Sequence, residues 1–375
     1  MKQDNYKPLG NYIQLVDKRN RDGAICNLVG VSFEKKIIPS IANTIGTDLS
    51  NYRIIKPGQF AYCPVTSRNG ERISIALYKG EETAILSVAY SVFEITKPEE
   101  LDADYLMLWV SRPEFDRYAR FMSHGSVREL FSWDEMCNVL LPVPSIEEQR
   151  RIVSEYQTVE RRIKNNEAMI KKLEETAQAI YHHTFVDGID ENNLPEGWKK
   201  GCLGDVAEYV KERISTCDLE ERQYLSTEDI EKDKKGIDKS SSTPDNTNVT
   251  AFRKGDILIS NIRPYFKKIW LASFDGGCST DVLCYRTKEK EFHKFLYYTL
   301  LEDKFFDYVV AGCKGTKMPR GDKDWNMQYP ILVPSKKSLN DYSLKVKPLL
   351  NYSSSIVAET SHLRTLLSLL TSKLS

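Results

Sequence analysis

The side chains of this sequence that could do chemistry are cations and amides gathered in short polar stretches. "DKRNRDG" at 17–23 sets Lys18, Arg19 and Arg21 around Asn20, directly after an apolar run. Such a group suits a nucleic acid, because arginine pairs bidentately with guanine, asparagine with adenine, and any cation with phosphate. It reads equally as a solvated loop. "SNIRPYFKKIW" at 260–270 interleaves Asn261, Arg263, Lys267 and Lys268 with Tyr265, Phe266 and Trp270. Basic residues flanking aromatics after a strand suit groove contact, although half of the aromatics read as core. Its counterpart "CPVTSRNGER" at 63–72 carries Arg68, Asn69 and Arg72. "GCKGTKMPRGDKDW" at 312–325 is glycine-rich and basic, with Lys314, Thr316, Lys317, Arg320 and Lys323. Small residues there let the backbone approach a phosphate. The matching "SHGSVREL" at 123–130 offers His124, Ser126 and Arg128. A plain surface loop is the other reading of both. Arg213, aligned with Arg19, completes the candidate set.

Signatures of catalysis are missing. No G-x-G-x-x-G opens a helix, and there is no G-x-x-x-x-G-K-[ST]. "NIRPY" at 261–265 lacks the adjacent prolines of an adenine-methyltransferase motif, and no Pro-Asp with a following Glu-x-Lys could hold nuclease magnesium. His182 and His183 stand without cysteine or carboxylate at ligand spacing, so no metal site is expected.

The elements that must position these residues come next. The 375 residues suffice for two domains with separate cores. The 53 basic and 53 acidic residues cancel, so nucleic-acid binding must rest on where charges lie. Eight cysteines with no C-x-x-C argue against zinc, and reduced thiols in the cytoplasm are expected. Neither a signal peptide nor a membrane span is apparent.

The chain repeats itself. "LGNYIQLVDKR" at 9–19 aligns with "LGDVAEYVKER" at 203–213, matching Leu9 and Gly10 to Leu203 and Gly204. "YRIIKPGQFAY" (52–62) and "VTAFRKGDILI" (249–259) each read as a turn at Gly58 or Gly255 feeding a strand. "YSVFEI" (90–95) and "TDVLCY" (280–285) are a second strand pair. "SHGSV" answers "CKGTK", and Val-Pro-Ser at 143–145 answers Val-Pro-Ser at 333–335, at one shared offset. The polar stretch 231–248 reads as an insertion loop.

After each Val-Pro-Ser a heptad seam begins. The first runs Ile152, Tyr156, Val159, Ile163, Asn166, Ile170, Leu173, Ala177, Ile180. The second runs Tyr342, Val346, Leu349, Ser353, Ile356, Thr360, Leu363, Leu367, Leu370, Leu374. Alternating steps of four and three mark one face of a long helix. Ser145 with Glu148 predicts a capping box. The helix should span about 39 residues, roughly 58 Å, and Pro348 should kink the second copy. Such a helix needs a partner, and the other copy supplies one. A polar linker at 186–198 lets the second copy fold back, so the helices run antiparallel. Two modules on a rigid coiled coil could read half-sites at fixed spacing, with a DNA turn of about 34–36 Å as the unit.

At these residues a family resemblance appears. "LPVPSIEEQRRIV" (141–153) and "NLPEGWKKGCLGDVAEYV" (193–210) resemble specificity subunits of type I restriction–modification systems. The resemblance covers essentially the whole chain, because the order of the repeat is the family's order. It implies mixed α/β (α+β) target-recognition domains in tandem, separated by two long helices in an antiparallel coiled coil. The boundaries would be 1–145 and 199–335 for the domains, 146–185 and 336–375 for the helices, and 186–198 for the linker. It further implies a non-catalytic subunit that reads a bipartite site in double-stranded DNA and binds two methyltransferase subunits, with two restriction/translocase subunits where these accompany it. S-adenosylmethionine, ATP and magnesium would sit on those partners, none on this chain. The second copy departs from the pattern, with "VPSKKSLNDY" where the family has Glu-Gln. The rival reading from the residues alone is a coiled-coil scaffold whose globular domains bind peptides.

Overall fold

The computed structural model describes residues 6–40, 46–67, 72–125, 129–220, 223–238, 242–315 and 317–374. The chain divides into two compact units, Met1–Glu167 with Val357–Ser375, and Ala168–Ile356.

Each unit is built on the same sheet. In the first, antiparallel strands lie in the order Ile13–Leu15, Ser91–Ile95, Phe60–Tyr62, Ile75–Leu77. In the second the order is Ala207–Tyr209, Val282–Thr287, Ile257–Ser260, Ile269–Leu271. The expected turns feed these strands. Gly58 (φ +86°) donates its N–H to Tyr78 at 2.9 Å, and Gly255 (φ +98°) donates to Ala272 at 2.8 Å. Positive φ is open to glycine without the steric cost other residues meet, and a Cβ on Gly255 would lie 2.8 Å from His293 Nε2.

A short strand pair closes each unit beside its long helix. Tyr6–Pro8 pairs antiparallel with Leu140–Pro142, and Lys199–Cys202 with Pro330–Val333. Leu9 and Leu203 are fully buried next to these pairs, with N–H bonds to Val139 and Tyr329, each at 2.8 Å. Two helices follow each sheet: Ala103–Val110 and Pro113–Phe121 in the first unit, His293–Leu301 and Asp303–Ala311 in the second. Asp102 caps the first of these, accepting from the N–H groups of Asp104 and Tyr105.

The long helices are Ile146–Phe185, 40 residues, and Lys336–Ser372, 37 residues. Every seam position named above is buried or half-buried. In the second unit Tyr181, Phe185 and Ala177 pack on Leu339, Tyr342 and Val346, with the Phe185 ring 5.0 Å from Tyr342 and 5.1 Å from Phe295. Trp198 packs on the same cluster, its ring tilted 5.8 Å from Phe185, and gives its indole N–H to Ser338. In the first unit Leu374 enters the core that holds Val153 and Leu141. In both units the paired residues descend on one helix as they ascend on the other, so the pairing is antiparallel.

The C-terminal helix is continuous through Pro348. The proline is exposed, and Leu344, whose carbonyl loses its N–H partner, is 72% exposed, so water can take that carbonyl. The capping box at Ser145 is half formed. Ser145 Oγ accepts from Glu148 N at 3.3 Å, but the Glu148 carboxylate goes to Arg151 at 2.7 and 2.9 Å. The stronger anchor is Gln149, fully buried one residue on. Its Nε2 donates to the carbonyls of Glu100 and Pro144, and its Oε1 accepts from Asp102 N at 2.9 Å. The Gln of the Glu-Glu-Gln motif thus ties the helix start to the domain. In the second copy Leu339, 1% exposed, fills the corresponding position with apolar contact instead.

Candidate nucleic-acid interface

The candidate stretches come together in pairs. In the first unit Val65 and His124 both bridge to Leu130, so 63–66 lies beside His124 and Leu130. In the second, Ile262 and Lys314 both bridge to Arg320, joining 261–263 to the glycine-rich loop. His124 and Leu130 exchange backbone bonds at 3.2 and 3.0 Å; Lys314 and Arg320 do so at 3.0 Å each. The same bridge is thus made twice, from different residues. Arg68, Asn69, Ser126, Arg128 and Thr316 lie outside the described residues.

In the second unit this surface carries cations, most with an acid beside them. Lys314 pairs with Asp322, and Arg320 with Asp281 at 3.1 Å. Lys267 reaches Asp303 at 2.7 Å and Lys234 joins it at 2.8 Å. The two ammonium groups hold the Asp303 carboxyl down at about 2. Asp322 raises Lys314. Exposed pairs of this kind contribute about 0–1 kcal/mol, so a phosphate can take over the cation at small cost. Lys317 is exposed and Tyr265 is 48% exposed, resting edge-on against Phe266. Trp270 is core.

Arg263 is the most unusual of the set. Its backbone is left-handed, φ +50° and ψ +62°, and its Nε is buried without a hydrogen-bond partner. Its N–H goes to the Pro319 carbonyl at 2.8 Å, which pins this strained residue to the glycine-rich loop. Asn261, 8% exposed, has an unpaired Oδ1 in the same place. The stretch 231–248, read as an insertion loop, is partly tied here: Asp233 and Lys234 donate N–H bonds to Phe266 and Lys267, and Lys232 sits 4.1 Å over the Phe266 ring.

The 17–23 stretch is organised differently. Arg19 donates to Asp17 at 3.0 Å and to the Asn51 carbonyl at 3.1 Å, and Arg21 to the Asn51 side chain at 2.9 Å. Lys18 is exposed. Asn20 does not face outward. It is fully buried, and its amide closes the loop with Ile25 in both directions, at 2.9 and 3.1 Å. Arg213 is exposed and donates to Thr250 at 3.3 Å; it stands opposite Thr250 as Arg19 stands opposite Arg53. Arg72 is exposed at the rim of a cleft in the first unit.

Several residues here escaped the sequence reading. Arg53 shares Asp17 with Arg19 at 2.6 Å. Arg117, Arg120 and Phe121 project from one helix around the cleft with Arg72; their spacing on a short amphipathic helix was the signal. His182, which the sequence reading did name, is hydrogen-bonded to Glu302 at 2.9 Å. Among the described residues no group of three or more metal-ligating side chains is gathered, and no helix is long and apolar enough to cross a membrane.

Comparison with known proteins adds the following. No family profile matches the chain. It is 30% identical over 105 residues to the type I restriction enzyme EcoDI specificity subunit of Escherichia coli. That match spans 28% of this chain and 23% of the relative's length. Among solved structures, a chain from a type I restriction–modification system described for its complex assembly and conformational transition aligns over 98% of this chain and 96% of its own, with TM-score 0.51 and 17% identity. The type I restriction–modification S subunit of M. genitalium aligns over 98% and 95%, with TM-score 0.52 and 12% identity. In fold, and over those 105 residues in sequence, the chain is like type I restriction–modification specificity subunits.

Proposed function

We propose that this chain is the DNA sequence-recognition subunit of a type I restriction–modification complex, reading a bipartite site with one half-site per unit. The observation that carries this reading is the duplicated loop pair. The same sheet and the same bridged loops occur twice, and the loops differ between copies in the residues they expose. Two scaffolds alike in backbone and unlike in surface side chains suit two different half-sites. In this reading the chain performs no catalysis. Methyltransferase subunits, two per chain, dock on the long helices and carry S-adenosylmethionine. Translocase subunits, where present, carry ATP and magnesium, and the assembly works in the cytoplasm.

The cations of both loop pairs would grip phosphate, and the buried-edge residues Arg263 and Asn261 would meet bases. A direct test measures binding of the assembled complex to a duplex as salt is varied. Log K should fall linearly with log salt, with a slope near −0.9 for each phosphate contact. Binding that ignores salt would sink the reading and favour a peptide-binding scaffold.

A further inference from the structure

The first unit contains a cleft that the repeat does not explain. It encloses about 660 Å³, between the hairpin of Val29–Val31 and Ile37–Pro39 and the helix Pro113–Phe121. That volume lies in the usual range for small-molecule sites. Two large aromatics border it yet stay in water, Phe33 at 60% and Phe121 at 81% exposure. Arg72, Arg117 and Arg120 share the lining.

The walls are fixed. Lys35, left-handed at φ +59°, reaches from the hairpin to Asp116 on the helix at 2.7 Å and to the Val110 carbonyl at 2.6 Å. Asp116 also accepts from Ile73 N at 3.1 Å. This pair is almost wholly buried, so it clamps hairpin to helix before any ligand arrives, which lowers the ordering cost of binding. The guanidinium groups of Arg72, Arg117 and Arg120 line the cleft together with the Glu34 carboxylate, and Arg117 pairs with Glu114 at 3.1 Å. Burial lowers the Lys35 pKa, and the Arg72 charge pushes it further down, against the attraction of Asp116. An anion in the cleft would offset that repulsion.

The fold does not require these side chains. One repeat on, the second unit places Asp307, Val310 and Ala311 where the first has Arg117, Arg120 and Phe121. The cleft also adjoins the candidate interface: Arg72 ends one candidate stretch, Phe121 precedes His124 by three residues, and Arg120 donates to the Thr66 carbonyl at 3.3 Å.

We propose that this cleft binds a nucleoside phosphate, with the base against Phe33 and Phe121 and the phosphate held by Arg72 and Arg117. Arginine and aromatic side chains together are what an unstacked nucleotide is held by. The ligand is either a free nucleotide or one unstacked from the duplex. Only the second case rests on the function proposed above.

The test uses the full chain in two arms. In the first, 2′-deoxyadenosine 5′-monophosphate, 2′-deoxyadenosine and inorganic phosphate are titrated calorimetrically. The monophosphate should bind at least tenfold tighter than either part, and Phe121→Ala and Arg117→Ala should each weaken it fivefold or more. Both side chains are exposed, so neither change threatens the fold. In the second arm, the methyltransferase complex is mixed with a duplex carrying 2-aminopurine at each half-site position in turn. Brightening at one position, lost in Phe121→Ala, identifies DNA as the source. Nucleotide binding without brightening identifies a free ligand. Neither signal, with duplex binding intact, overturns the cleft proposal and leaves the recognition reading standing. Failure of duplex binding itself strikes that reading, while the first arm still decides the cleft.

Discussion

Asn166 donates its side-chain amide to the Thr360 hydroxyl at 3.2 Å, so the polar residue of the first heptad seam meets one of the two polar residues of the second. Both residues are buried, at 4% and 5% exposure. The same amide reaches Glu359 at 3.1 Å, Glu359 takes Arg162 at 2.9 Å, and Arg364 takes Glu167 at 2.8 Å. A single buried polar position specifies register in a coiled coil at a cost in stability. The double variant Asn166→Leu/Thr360→Leu should therefore raise the thermal midpoint and relax the register. Methylated sites mapped with that variant should include a second spacer length. A single unchanged spacer would remove the register role.

Gln149 makes a second sharp prediction. Its amide satisfies two carbonyls and one N–H inside the first unit. Leaving buried polar groups unpaired costs about 1–3 kcal/mol, so Gln149→Ala should lower the denaturation free energy by about 2 kcal/mol or more. The equivalent change Leu339→Ala acts by cavity formation, at about 2–5 kcal/mol. A Gln149→Ala protein as stable as the parent would contradict the anchoring role.

Arg263 combines strain with a buried, unpaired nitrogen. Glycine relieves a left-handed backbone by about 1–2 kcal/mol. Arg263→Gly should thus keep or raise the melting temperature while relaxing base preference at one position of one half-site. Loss of that preference should amount to about 1–3 kcal/mol of discrimination. An unaltered recognition motif would show that Arg263 reads no base.

Acid should weaken the second unit through Asp303. Its carboxyl is held at about 2 in the folded chain, below its ordinary value of 3.8, by bonds to Lys234 and Lys267. A depressed acid stabilises the fold above its ordinary value and loses that contribution as pH falls toward the folded one. Urea midpoints between about pH 4 and pH 2 should therefore fall more steeply for the parent than for Asp303→Asn. The carboxylate is 62% exposed, so the difference is modest. Parallel curves would show the pairs to be idle.

Much of this architecture was legible because it was written twice. The heptad seams, the Gly58 and Gly255 turns and the strand pairs at 90–95 and 280–285 all repeat, and a period is a strong local signal. Side-chain destinations were not legible. Asn20 looks like a base reader in "DKRNRDG" but turns inward to Ile25, a choice set by how the loop closes. Lys267 spends its charge on Asp303, 36 residues away, and the Phe33–Phe121 cleft forms between elements far apart in the chain.

The central claim is that this chain directs recognition of a two-part DNA site. The most direct measurement is a map of N6-methyladenine across a host genome that co-expresses this chain with the methyltransferase subunits of a type I restriction–modification system. The account predicts one bipartite motif with a fixed number of unread bases between its halves, absent when this chain is omitted. A stable complex that adds no new methylated motif would contradict it.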